Sequence, residues 1–146
     1  MSELRLRKAT AEDSEFAYQT KKAAFRGYVE QVGGWHEEEQ RELHEQRFHS
    51  QEFYVLHVSG IDVGIVALVW ESNCIKLNQL FILPEYQSRG YGRAYMSGLI
   101  DEAAAGSLAL RLRVLKVNCR AMTFYQRLGF TITGESDTHI LMEKSP

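Results

Sequence analysis

The spacing of apolar residues along the chain switches between a period of two and one between three and four, and the switches mark out the elements. Leu4 and Leu6 predict a short first strand. Thr10 with Glu12 and Asp13 predicts a helix start, a capping hydroxyl followed by first-turn acids, and the helix extends to about Tyr28. Gly33-Gly34 ends it. From about His36 to His49 a second, very polar helix is predicted, with Leu43 and Phe48 as its chief apolar anchors. A helix so thinly anchored should be more mobile than its neighbours.

Phe53 to Val58 reads as a strand, and Ser59-Gly60-Ile61-Asp62 as a hairpin turn. The run from Gly64 to Trp70 is continuously apolar and rich in branched side chains, as expected of a strand buried on both faces. Ile75 to Leu83 forms the next strand, stopped by Pro84. Arg89 to about Ala104 is helical, with Met96, Leu99, Ile100 and Ala103 at core spacing. Leu108 to Val117 alternates, placing Leu110, Leu112 and Val114 on one face. Asn118 to Leu128 is a short helix stopped by Gly129, and Phe130–Thr133 with His139–Glu143 closes the chain as a hairpin. The order β-α-α-β-β-β-α-β-α-β-β predicts an α/β (α+β) fold, a mixed, mostly antiparallel sheet with helices on both faces. No repeat or linker divides it, so residues 1–146 are expected to form a single domain.

Composition narrows the picture. With 45% hydrophobic and 25% charged residues the chain can build a core, which excludes a disordered class. A net charge of -2 gives no general attraction to nucleic acid. Cys74 and Cys119 are far apart without CxxC spacing, so a reducing compartment is expected. The N-terminus lacks a signal-peptide core, and no apolar run approaches the roughly 20 residues that cross a bilayer. A soluble cytoplasmic protein is the expectation, with no membrane partner. His36-Glu37-Glu38-Glu39-Gln40 lacks the second histidine of a zinc helix, and His44 and His49 do not complete a tight pair, so no metal is expected.

The most informative stretch is strand, Pro84, then Gln87-Ser88-Arg89-Gly90-Tyr91-Gly92, then helix. Glycines allow a tight turn and close ligand approach. The helix that follows opens with free N–H groups and a positive dipole end, which together suit a phosphate. Arg89 and Arg93 add charge. Taken by itself, such a turn is also compatible with a plain strand-to-helix connection. A Walker loop would need Gly-Lys-Ser/Thr where Gly92-Arg93-Ala94 stands, and a dinucleotide fingerprint would need a small residue where Tyr95 stands.

The segment Leu80-Phe81-Ile82-Leu83-Pro84-Glu85-Tyr86-Gln87-Ser88-Arg89-Gly90-Tyr91-Gly92 resembles the signature of the GNAT superfamily of N-acetyltransferases, Arg/Gln-x-x-Gly-x-Gly/Ala after an apolar strand. A second block agrees: Asn118, Ala121, Phe124-Tyr125, then Leu128-Gly129-Phe130. The resemblance implies an acetyl-CoA cleft where the strands Ile75–Leu83 and Leu108–Val117 splay apart. It implies backbone contacts to the cofactor from Phe81, Ile82 and Leu83. Gln87, Ser88, Arg89, Gly90, Tyr91, Gly92 and Arg93 would hold the pyrophosphate, and Asn118 would hydrogen-bond the cofactor. An N–H near Leu80–Ile82 would face the thioester oxygen. Tyr125 would donate a proton to the leaving sulfur, although its spacing also fits a core tyrosine.

The implied reaction is direct attack of an amine on the thioester. Many relatives place a glutamate base where this chain has Lys76, and its neighbour on that face is Asn78. Deprotonation through water held by Asn78 or by a distant acid is therefore expected, with Lys76 a solvated strand residue. The helix connection that covers the acceptor in this superfamily here carries Tyr28, Glu30 and Trp35. Aromatic faces with a carboxylate suit a cation, so these three are the expected contacts of a small amine or amino-acid-like acceptor. A peptide acceptor and a catalytically inactive CoA sensor remain as alternatives, and the resemblance also allows a homodimer.

Overall fold

A computed structural model describes residues 3–146. It contains seven strands, β1 (Leu4–Lys8), β2 (Glu52–Val58), β3 (Ile61–Trp70), β4 (Cys74–Ile82), β5 (Ala109–Leu115), β6 (Thr131–Glu135) and β7 (His139–Lys144). The helices are α1 (Ser14–Glu30), α2 (Glu37–Ser50), α3 (Tyr91–Ala105) and α4 (Cys119–Arg127). The strands form one sheet in the order β1-β2-β3-β4-β5-β7-β6. Every pairing is antiparallel except β4 with β5. That parallel pair is joined through α3, since parallel neighbours need a crossover.

The sheet has two apolar faces. On one, Met96, Leu99 and Ala103 of α3 pack with Leu68, Ile75, Leu77, Leu110, Leu112 and Val114, and α4 adds Phe124 and Tyr125 at the margin. On the other, Ala17 of α1 packs on Phe53, Ile65 and Ala67, with Phe48 of α2 alongside. Residues Val63 to Leu68 are all buried, as the continuous apolar run requires.

Most element ends differ from the sequence expectation by one or two residues, but β3 begins three residues earlier, at Ile61, so that Ile61 and Asp62 pair with β2 and the hairpin turn is Ser59-Gly60 alone. The first helix is preceded by a single 3-10 turn at Ala11–Asp13, where the Asp13 carboxylate accepts from the Thr10 N–H at 2.8 Å. The third helix starts at Tyr91, because Gly90 has φ 85° and cannot join it.

The anchoring of α2 is denser than its apolar pattern implies. His44 is 4% exposed, shares a 3.0 Å hydrogen bond with Ser14 Oγ, and packs against Tyr18, Phe48 and Phe53. Burial holds its imidazole below the ordinary histidine range. The other helix histidines are also placed: His36 bonds the Gly33 carbonyl at 3.0 Å, and His49 pairs with Glu45. No helix among the described residues is long and apolar enough to cross a membrane.

Candidate active site

The site begins with a fault in the sheet. Strands β4 and β5 pair from Cys74↔Ala109 to Leu77↔Leu112 and then part, although β4 continues to Ile82 and β5 to Leu115. The cause lies on β4. Its register with β3 sets Leu77 opposite Leu68 but Gln79 opposite Ala67, which leaves Asn78 as one extra residue, a β-bulge. Up to Leu77 the odd-numbered side chains of β4 face α3. Beyond the bulge Leu80 and Ile82 face that way, and Gln79 and Phe81 turn toward α1 and α2.

Parting the strands strands their backbone groups. The Leu83 N–H donates to Val63 O at 2.9 Å, so by the alternation of an antiparallel ladder Phe81 also bonds toward β3. Leu80 and Ile82 therefore point their backbone groups into the gap. The Ile82 carbonyl is already taken by Gln87 Nε2 at 2.9 Å, which leaves the Leu80 N–H and C=O and the Ile82 N–H facing the cleft. Gly64 permits this arrangement, since a Cβ there would lie 2.6 Å from the Phe81 carbonyl oxygen.

Two cavities open where the strands part. The first, about 300 Å³, is bounded by the glycine turn, Leu80–Ile82, Phe25 and Tyr28 of α1, and Phe124 and Tyr125 of α4. The turn itself uses two left-handed residues, Ser88 (φ 62°) and Gly90 (φ 85°). The first bond of α3 runs from Ala94 N to Gly90 O at 2.9 Å, so the N–H groups of Tyr91, Gly92 and Arg93 have no partner within the helix. Arg120 reaches across from α4, donating to Ser88 Oγ at 2.9 Å and approaching Gln87 Oε1 at 3.5 Å. Unpaired N–H groups, a helix N-terminus and the guanidinium groups of Arg93 and Arg120 fit a pyrophosphate.

The second cavity, about 390 Å³, lies between the parted strands and the α1–α2 pair. Its polar lining comes from Lys21 and Gln40, Arg47 and Gln51, Asn78 and Gln79, Arg113, and the Thr138–His139 corner of β7. It holds no carboxylate side chain. Burial, with Arg113 nearby, keeps His139 below the ordinary histidine range, so its imidazole is neutral near pH 7.

Tyr125 and Asn118 line both cavities. Tyr125 is clamped edge-on between Phe124 and Phe130, at ring separations of 5.0 and 5.5 Å. Burial pushes its phenol far above the ordinary value, so the proton stays on at neutral pH. Asn118 caps α4, its Oδ1 accepting from the Ala121 N–H at 3.1 Å, which leaves the amide NH₂ directed elsewhere.

Residues 49–132 match the family model for the acetyltransferase (GNAT) domain. The chain belongs to the GNAT acetyltransferase family. Over 86 residues it is 36% identical to an uncharacterized N-acetyltransferase of Methanocaldococcus jannaschii, covering 53% of this chain and 38% of that one. It is 35% identical over 77 residues to an uncharacterized N-acetyltransferase of Mycobacterium tuberculosis, covering 51% and 49%. These matches span less than half the length of either relative. The fold superposes on the PaiA N-acetyltransferase of Thermoplasma acidophilum, crystallised with coenzyme A, with a TM-score of 0.78 at 20% identity over 99% of both chains.

The GNAT fold gathers most of the residues that its sequence blocks single out, and it redistributes others. Ser88, Gly90, Tyr91, Gly92, Arg93 and Asn118 surround the first cavity with Phe81, Ile82 and Gln87. Leu83 lines neither cavity: its N–H is held by Val63 and its carbonyl by the Tyr86 N–H, whereas Leu80 lines both. Phe81 presents its side chain, which stacks on Phe25 at 5.0 Å, rather than its backbone. Gln87 braces the turn with both ends of its amide. Arg89 stacks over Tyr86 at 5.4 Å, outside the cavities.

Tyr28 lines the first cavity rather than the second. Glu30 and Trp35 line neither: Glu30 is paired with Arg26 at 2.6 Å, and the Trp35 indole donates to Glu37 at 2.9 Å and packs on Tyr18. Lys76 pairs with Glu71 at 3.4 Å on the surface. Sequence reading missed Arg120, Gln79, Lys21, Arg47 and Arg113. No local motif marks them, because only the folded sheet brings them to the cleft.

Proposed function

We propose that this GNAT domain transfers the acetyl group of acetyl-CoA directly to the primary amine of a small molecule. The observation that carries the reading is the position of Tyr125, whose side chain borders both the glycine-turn cavity and the cavity under α1–α2. Acetyl-CoA would lie in the first, with its pyrophosphate at the N–H groups of Tyr91 to Arg93 and its pantetheine amides along the free backbone groups of Leu80 and Ile82. The acceptor would enter the second.

In this reading the amine nitrogen attacks the thioester carbon and the carbon–sulfur bond breaks. The N–H of Leu80 or Ile82 stabilises the negative oxygen that develops. Tyr125, protonated throughout the neutral range, passes its proton to the departing sulfur. An alkyl ammonium must first lose a proton. With no carboxylate lining the second cavity, water held by Asn78 and the neutral imidazole of His139 are the routes it offers. The enclosure of that cavity beneath two helices supports a small acceptor, since about 390 Å³ lies within the range of small-ligand pockets.

The test is release of CoA thiol from acetyl-CoA against a panel of primary amines, alongside calorimetric binding of acetyl-CoA. Binding with turnover on at least one amine is expected. Binding without turnover on any amine or peptide would indicate a sensor, and turnover on peptides alone would move the acceptor to a protein N-terminus or lysine.

A further inference from the structure

The second cavity is lined by three cations and no anion. Lys21 comes from α1, Arg47 from α2 and Arg113 from β5. None of the three makes an ion pair among the described residues. Lys21 is only 5% exposed, and its ammonium has one protein partner, Gln40 Oε1 at 3.3 Å. Several surface arginines behave differently. Arg7, Arg26, Arg41 and Arg111 each sit against a carboxylate. The chain thus has ample acid to neutralise cations elsewhere and places none here.

Such an arrangement is costly without a ligand. Burial disfavours a charged group, and like charges side by side add to the cost. Both effects register. Burial and Arg47 bring the Lys21 ammonium down to about 8, and burial and Arg113 pull Arg47 below its ordinary value. A second, independent feature points into the same space. Gln79 is 5% exposed, and neither its Oε1 nor its Nε2 has a partner among the described residues. The Asn78 bulge turns this side chain toward α1 and α2. Native structures rarely leave a whole buried amide unpaired unless something else satisfies it.

We propose that the acceptor of this enzyme is an amine that also carries a carboxylate, bound with the carboxylate against Lys21, Arg47 and Arg113 and its amine toward Tyr125. The inference rests on the acetyltransferase reading above and names the acceptor class. A planar carboxylate matches the arginine fork and a primary amide donor. A polycationic acceptor would meet three like charges instead. The charge pattern therefore reverses the cation-binding acceptor expected from Tyr28, Glu30 and Trp35.

The experiment uses matched triads, each an amino acid, its carboxamide and its decarboxylated amine, at several chain lengths with saturating acetyl-CoA. The carboxylate member is expected to exceed its carboxamide by roughly tenfold or more in kcat/KM, with the decarboxylated amine lowest. Arg47→Gln should shrink that ratio to about twofold or less through KM, with the dissociation constant of acetyl-CoA unchanged. Arg113→Gln, at an exposed strand position, should shrink it in the same direction and guards against a folding defect in the α2 variant.

A carboxamide or decarboxylated amine that equals or beats its carboxylate overturns the proposal, as does a ratio that survives both substitutions. Thermal shift of CoA-loaded protein serves if no triad member turns over. Stabilisation by carboxylates but not by carboxamides supports the proposal, and absence of that difference overturns it while leaving the cofactor site intact. Failure of wild-type protein to bind acetyl-CoA overturns the acetyltransferase reading and this one together.

Discussion

The two halves of the cleft are built by different means. The glycine-turn half is a backbone device: left-handed Ser88 and Gly90, the open N–H groups of α3, and the backbone of Leu80 and Ile82. Its parts lie within about fifteen residues of one another, apart from the α4 and α1 side chains that close it. The other half is made of side chains alone, and Lys21, Arg47, Gln79, Arg113 and His139 reach it from five elements. The common donor is met by geometry that many sequences can share. In the proposed reading the particular acceptor is met by charges that a few substitutions could exchange.

The comparison can be broken at its strongest point. Gly90→Val forces a branched side chain into φ 85°. It should weaken acetyl-CoA binding by roughly thirtyfold or more, from strain of about 2–3 kcal/mol, measured calorimetrically. The stabilisation of the protein by a carboxylate ligand should survive. Loss of both functions would mean that the halves do not act separately.

Tyr125→Phe sits on the boundary and should affect neither binding event. Turnover should fall by at least about tenfold, with acetyl-CoA affinity nearly unchanged, as steady-state kinetics and calorimetry would show. Unchanged turnover would remove its role as proton donor. Because burial raises the phenol well above its ordinary value, no alkaline limb below about pH 10 should arise from this group.

Arg120→Ala removes the one cross-cleft clamp on the turn, the bonds to Ser88 and Gln87. A loss of roughly threefold to tenfold in CoA affinity is expected, together with a weaker salt dependence of binding. A full salt dependence in the variant would assign the phosphate contact to Arg93 alone.

The smallest effect concerns the acceptor half and pH. Lys21 titrates at about 8, below the ordinary lysine value. Arg47 and Arg113 face the same cavity, and His139 is already neutral. Below pH 8 the ammonium attracts an anion, and as pH rises through 8 that attraction is lost. Affinity for an N-acetylated amino acid, which has no amine of its own to titrate, should fall by about threefold between pH 7 and 9.5. The Lys21→Met variant should show no such change.

Legibility in the sequence follows the same division. The strand and helix order was readable from apolar spacing, and the glycine turn and the Asn118–Tyr125 block were readable because each is a contiguous run. Two kinds of feature were not. Glu30 and Trp35 look like cation ligands in sequence, but local partners, Arg26 and Glu37, claim them first. Lys21 and Arg47 look like ordinary solvated helix charges, and His44 like an ordinary helix histidine. Only the packing of α1 and α2 on the sheet buries Lys21 and His44 and half-buries Arg47. The Leu83 backbone groups were not legible for a related reason, since the parity of the β3–β4 ladder, and not residue type, decides which amides face the gap.

The extra residue at Asn78 acts as a half-period phase slip in an otherwise regular wave. Ahead of it the odd-numbered positions face α3, and after it they face α1–α2. The facing of Gln79 and Leu80 is thus set by where the ladder accommodates one extra residue rather than by any one identity. Were the ladder to absorb Asn78 without a bulge, every side chain of the downstream strand would be chemically intact and yet on the wrong face. Gln79 would then lie in the apolar layer under α3, and Leu80 would lie among the cations.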